Sequence, residues 1–158
     1  MTNCIHIKRN ELQQQIDLRN HYLGEAAKRK DADADILQSS TDEKELFVMF
    51  TQRALNELTS AVALRFSNIS YNITEGEIQI TFETTNEKRS HLLPSLKQAI
   101  TDYLANEIIM QWLLLRQPML AQPQMATKHS LSENIRQIFA KFYNNTPVRR
   151  RATDLAGI

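Results

Sequence analysis

The sequence predicts a mostly α-helical chain: an antiparallel bundle of about four helices, with one inserted β-hairpin and an extended C-terminal tail. Three observations predict it. Glycine is rare, with only Gly24, Gly76 and Gly157 in 158 residues, which favours helices joined by short loops over glycine-rich turns. Four segments repeat apolar residues at spacings of three and four, the signature of an amphipathic helix. Over residues 69–83 the spacing changes to two, the period of a strand.

The first helix is expected over residues 9–30. Leu12, Ile16, Leu23 and Ala27 form its apolar stripe, and Gln13, Gln14 and Asp17 fill the other side. Gly24 weakens it locally, by about 1 kcal/mol relative to alanine. The second helix is expected over 41–66. Ser40 and Glu43 have the spacing of a capping box, in which each side chain takes the other's backbone amide. Leu46, Phe47, Phe50, Ala54, Leu58 and Val62 then run as one stripe towards Phe66.

The period-two region follows. Ile69, Tyr71 and Ile73 alternate with Ser70 and Asn72; Ile78, Ile80 and Phe82 alternate with Gln79 and Thr81. Thr74-Glu75-Gly76-Glu77 reads as the turn between them, which makes a hairpin with one apolar face. A lone hairpin is marginal in water, so Ile78, Ile80 and Phe82 must pack on the helices or on another subunit.

The third helix is expected over 91–116, with Pro94 in its first turn, where a missing amide costs little. Leu96, Ile100, Tyr103 and Leu104 begin its stripe. From Ile108 the apolar surface widens through Ile109, Met110, Trp112, Leu113, Leu114 and Leu115. An end that is apolar all round is expected to be buried all round, so Trp112 and Leu113 belong either to the core or to an oligomer interface. Phe50, Leu58, Ile100, Tyr103, Leu104 and Leu113 are the expected contact between the second and third helices. Residues 117–128, with Pro118 and Pro123, read as a loop. The fourth helix is expected over 130–143, with Ser130 and Glu133 at capping-box spacing and a stripe of Leu131, Ile135, Ile138, Phe139 and Phe142. Residues 1–147 thus form a single helical domain, and 148–158 a tail.

Composition narrows the function classes. Apolar residues make up 42% and charged residues 23%, near globular averages. A chain of this length buries roughly two-thirds of its unfolded surface, enough for a core without staples. The 19 basic and 18 acidic residues leave a net charge of +1; a dedicated nucleic-acid binder carries a clear basic excess. The single cysteine, Cys4, forms no internal disulfide and stands in no nucleophile motif. The opening residues lack an apolar signal core. The longest apolar run, Ile108 to Leu115, falls short of the ~20 residues of a membrane span.

No catalytic, cofactor or metal motif stands out. Asp31, Asp33, Asp35 and Asp42 fall at positions 1, 3, 5 and 12 of a calcium loop. Ile36, however, occupies the position that needs glycine, and Asp42 replaces the bidentate glutamate, so the run reads as a solvated acidic connector. His6, His21, His91 and His129 share no ligand spacing, and Ser60 and Ser95 sit in no nucleophile elbow. The remaining candidate is the tail. Arg149, Arg150 and Arg151 can pair with carboxylates, and Leu155 and Ile158 can anchor on an apolar surface. Docking on a protein is the preferred reading over phosphate, because Asp154 and the near-zero net charge dilute the basic signal; DNA contact is possible but not indicated.

The order helix, capped helix, hairpin, long apolar helix, short helix and tail resembles that of the head–tail connector proteins (adaptor or neck rings) of tailed bacteriophages. The resemblance is one of element order and size, without a family sequence motif, so no family residue is carried over. It implies a structural, non-enzymatic homo-oligomer that forms a ring and meets neighbouring virion proteins such as portal or tail components. It also implies a protein without cofactor or membrane contact, made in the host cytoplasm and placed in the virion. Two other readings stay open: a nucleic-acid-associated helical regulator, and an enzyme with no recognisable motif.

Overall fold

The computed structural model describes residues 2–28, 44–63, 68–84 and 87–143. The elements run β1 (Thr2–Lys8), α1 (Arg9–Lys28), α2 (Lys44–Ala63), β2 (Ser70–Ile73), β3 (Glu77–Glu83), α3 (Leu93–Arg116) and α4 (Gln122–Tyr143). Single 3₁₀ stretches, Glu87–Leu92 and Pro118–Ala121, lead into α3 and α4. The chain is mostly helical, with four helices and a small antiparallel sheet among the described residues. The expected capping box at Ser40 and Glu43, the aspartate run and the tail lie outside those residues.

α3 is the hub, in contact with α1, α2 and α4. From Leu96 to Leu113 its apolar residues are buried whichever way they point, including Ile100, Tyr103, Leu104, Ile108, Ile109 and Trp112. α1 lays Leu12 and Ile16 into this core, and α2 lays in Phe50, Ala54, Leu58 and Val62. Polar bonds on the rim fix α1 against α3: Arg19 donates to Asp102 at 2.9 Å, and Lys97 meets Glu11 at 3.2 Å.

The hairpin forms where the period changes. Thr74 closes its turn, with its backbone amide donating to the Glu77 carbonyl at 3.0 Å. Asn68, at φ 65°, turns the chain into β2; asparagine tolerates this left-handed region better than most residues. Its side-chain amide donates to Glu83 at 2.8 Å.

The hairpin is not the whole sheet, and this corrects the expectation. Thr2–Lys8 forms a third strand, antiparallel to β3, in the order β1-β3-β2. Asn3, Ile5 and Ile7 point inward, while Thr2, Cys4, His6 and Lys8 point outward. β3 thereby becomes the central strand. Its Ile78, Ile80 and Phe82 are buried on the inner face. Phe82 meets Phe139 and Phe142 edge-on, with ring centres 5.1 and 5.5 Å away, which docks α4 on the sheet. Such aromatic pairs add about 0.5–1.5 kcal/mol beyond area burial.

The start of α4 is a second correction. α3 stops because Pro118 holds the preceding Gln117 out of the helical region, at φ −142° and ψ 76°. The Gln117 amide closes the helix on the Leu113 carbonyl at 2.7 Å. A single 3₁₀ turn follows, and α4 begins at Gln122, with Pro123 in its first turn. Residues 117–128 are therefore mainly helical. Ser130 is inside α4 and does not cap it: its hydroxyl donates back to the Thr127 carbonyl at 2.8 Å. Glu133 pairs with Arg136 at 3.3 Å. Capping-box spacing is also the ordinary i,i+3 spacing of a helix surface, so a serine and a glutamate within a helix imitate it.

Candidate functional site

Two features stand out from the plain core. The first is the corner where α3 ends and α4 begins. The helix end that was expected to be buried all round is open: Leu114 is 42% exposed and Leu115 64%. Met119, in the 3₁₀ turn, is 85% exposed, and Met125, in the first turns of α4, 51%. α3 ends at Arg116, directly after these leucines, and Pro118 opens the 3₁₀ turn that follows. Trp112 and Leu113, immediately before the leucines in the chain, stay inside. Trp112 packs edge-on against Phe50 at 6.3 Å, and the Arg116 guanidinium lies 4.4 Å over its other ring surface.

The second feature is an ionic cluster around one buried carboxylate. Lys128 of α4 reaches in between Glu57 of α2 and Glu107 of α3. Its Nζ donates to Glu57 Oε2 at 2.6 Å and stands 3.1 Å from Glu107 Oε2. Arg53 adds a looser contact to Glu57 at 3.8 Å and donates to Gln111 at 3.3 Å. Glu107 is 0% exposed, and its Oε1 has no hydrogen-bond partner. Burial raises the Glu107 pKa, and Lys128 only partly offsets that. Burial alone would lower the Lys128 pKa, but its bonds to Glu57 and Glu107 win, and the net shift is upward. Tyr103, one turn before Glu107, is held in its neutral form by burial and by the two carboxylates.

This arrangement clamps three helices. Glu107 has no surface through which to meet a substrate. Lys128 is held protonated by two acids, the opposite of what a nucleophilic amine needs. The cluster thus fixes the relative placement of α2, α3 and α4, and with it the exposed corner directly upstream of Lys128.

The residues singled out from sequence fall into three places. Trp112, Leu113, Ile78, Ile80 and Phe82 are all buried within the chain's own core. Arg149, Arg150, Arg151, Leu155 and Ile158 lie outside the described residues. Leu114, Leu115 and Met119 sit on the surface that sequence reasoning missed. Their signal was the proline at 118, which stops an apolar helix in mid-stripe. Glu57, Glu107 and Lys128 gave no signal, since ordinary charged residues on three helices carry no spacing that links them.

A shallow groove lined by Arg9, Lys44, Glu45, Val48, Met49 and Gln52 crosses the start of α2, with the Arg9 guanidinium 5.0 Å over the Phe47 ring. Among the described residues no group of three or more His, Cys, Asp or Glu side chains is arranged to hold a metal ion, and no helix is long and apolar enough to cross a membrane.

Comparison with known proteins gives no significant match: no family model fits the chain, no curated protein is significantly similar in sequence, and no solved structure is significantly similar in fold.

Proposed function

We propose that this chain is a structural assembly protein that docks its exposed helical corner on another protein surface. We place it in the neck of a tailed-phage virion, as a ring of its own copies that meets portal or tail components. The observation that supports the assembly reading is the concentration of Leu114, Leu115, Met119 and Met125 in water at one corner of the molecule. Apolar surface removed from water stabilises an interface by about 25 cal/mol per Å², and flexible methionines adapt to an uneven partner. A corner that packs on a different patch of the next subunit is a heterologous contact, the kind that closes rings. The virion setting rests on the order and size of the elements.

Electron microscopy of the purified protein, alone and mixed with the proteins encoded beside it, tests the proposal. Rings, or co-assembly with a portal or tail protein, are expected. A chain that stays monomeric and binds none of those neighbours would refute it.

A further inference from the structure

We propose that the open edge of β1 pairs with β1 of a second copy of this chain, antiparallel and about a two-fold axis at Ile5, joining two three-stranded sheets into one. This goes beyond the assembly reading, which rests on the helical corner where α3 ends and α4 begins.

The backbone phase carries the inference. β1 is an outer strand, with β3 on one side. The Arg9 amide donates to the Gly76 carbonyl at 2.9 Å. That bond continues the register in which Ile7 faces Ile78, Ile5 faces Ile80 and Asn3 faces Phe82. In an antiparallel ladder, alternate residues turn both of their backbone groups to the same neighbour. Asn3, Ile5, Ile7 and Arg9 therefore spend their amides and carbonyls on β3. Thr2, Cys4, His6 and Lys8 turn theirs to the outer edge, on which no other strand pairs among the described residues.

A second β1 must bring its own open-edge residues to that edge. The longest register that does so sets Cys4 opposite the second copy's His6, Thr2 opposite its Lys8, and Ile5 opposite its Ile5. All of β1 is then paired. Shifting by two residues in either direction keeps the phase but shortens the overlap, and it sets either the two Cys4 or the two His6 residues face to face.

The side chains agree with the long register. Asn3, Ile5 and Ile7 are buried on the inner face, so the apolar layer of one copy continues into that of the other, as the two-residue period demands. On the outer face, one row across the joined sheets reads Glu83, Thr2, the second copy's Lys8 and its Glu77, from the pairing of Thr2 with Glu83 and of Lys8 with Glu77. The lysine stands between Thr2 and the Glu77 of its own copy, and no like charges stand opposite each other. β1 carries one of the devices that guard a sheet edge, the terminal Lys8, whose partner in this register is Thr2. It has no proline or inward-facing charge, and its register with β3 is unbroken over all seven residues.

Light scattering over a range of concentrations, combined with residue-resolved amide hydrogen exchange, tests this pairing. The mass is expected to double as concentration rises. The amides of Cys4, His6 and Lys8 should then slow, while those of Asn3, Ile5 and Ile7 are slow at every concentration. His6→Pro removes one open-edge amide without touching the bonds to β3, and it should keep the chain monomeric. Should that variant melt early, the exchange pattern of the unmodified chain decides. A mass that never doubles overturns the pairing, as does doubling with the Cys4, His6 and Lys8 amides still fast. A dimer lost in Leu115→Ser/Met119→Ser but kept in His6→Pro belongs to the helical corner; it would overturn the sheet pairing and leave the assembly reading standing.

Discussion

Glu107 is a carboxylate fully buried in the core, which changes its chemistry. Its pKa in the fold lies above the ordinary carboxylate value of 4.5, mainly through burial. The folded chain thus holds this proton more tightly than the unfolded chain. The resulting stabilisation is fully present below pH 4.5 and is lost as pH rises through the folded value. Lys128, shifted upward, stays protonated across that window. Glu107→Gln cannot titrate, so the stability of the native chain relative to this variant should fall as pH is raised from 4.5 towards neutrality. Urea unfolding at several pH values reads this out, and parallel curves would contradict it. Removing the cation is a different perturbation. Lys128→Met leaves the buried Glu107 without its counter-charge. It should cost about 1–3 kcal/mol at neutral pH, the scale of leaving a buried polar group without its partner. In the Glu107→Gln background that cost should shrink, because no buried charge is left behind; a double-mutant cycle measures the difference.

At the scale of elements, α3 dominates, and Leu104 lies near the middle of its buried length. Leu104→Ala should lower stability by about 2–5 kcal/mol, depending on how far the neighbouring helices close the cavity; an unchanged thermal melt would show that they do not pack as described. The stripes of the four helices and the hairpin were legible in the sequence, because a fixed period leaves a mark that needs no tertiary knowledge. β1 was not read. Its alternation contains only Ile5 and Ile7 as large apolar residues, with Asn3 as the third inward position, too little to separate a strand from a polar lead-in. The start of α4 was misplaced because Pro118 and Pro123 look alike in sequence. One ends a helix and the other begins one, and only the backbone around them distinguishes the two roles.

For the whole molecule, the question is what covers the corner. Leu115→Ser/Met119→Ser changes two exposed side chains and should leave the melting temperature nearly unchanged, since surface substitutions commonly stay within about 0.5 kcal/mol. On the proposed assembly reading the same variant should lose assembly, seen as the absence of rings or of co-sedimentation with a protein encoded beside it. A variant that assembles as well as the native chain would move the interface elsewhere. Retained mass with reduced stability would instead place Leu115 and Met119 in the support of the fold.

The sequence by itself determined the helical class, the hairpin and the identity of the core. Phe50, Leu58, Ile100, Tyr103, Leu104 and Leu113 were named from periodicity and are buried. These are local properties: burial follows the face of the element a residue stands on, and the face follows from spacing. Tertiary structure alone decided three things. It paired Thr2–Lys8 with Glu77–Glu83, a strand far along the chain. It brought Glu57, Glu107 and Lys128 together from three helices. It also left Leu114, Leu115 and Met119 in water while burying Trp112 and Leu113 immediately before them. Strand pairing, ion contact and exposure depend on which surfaces meet after the chain has folded back on itself, and spacing along one element holds no record of that.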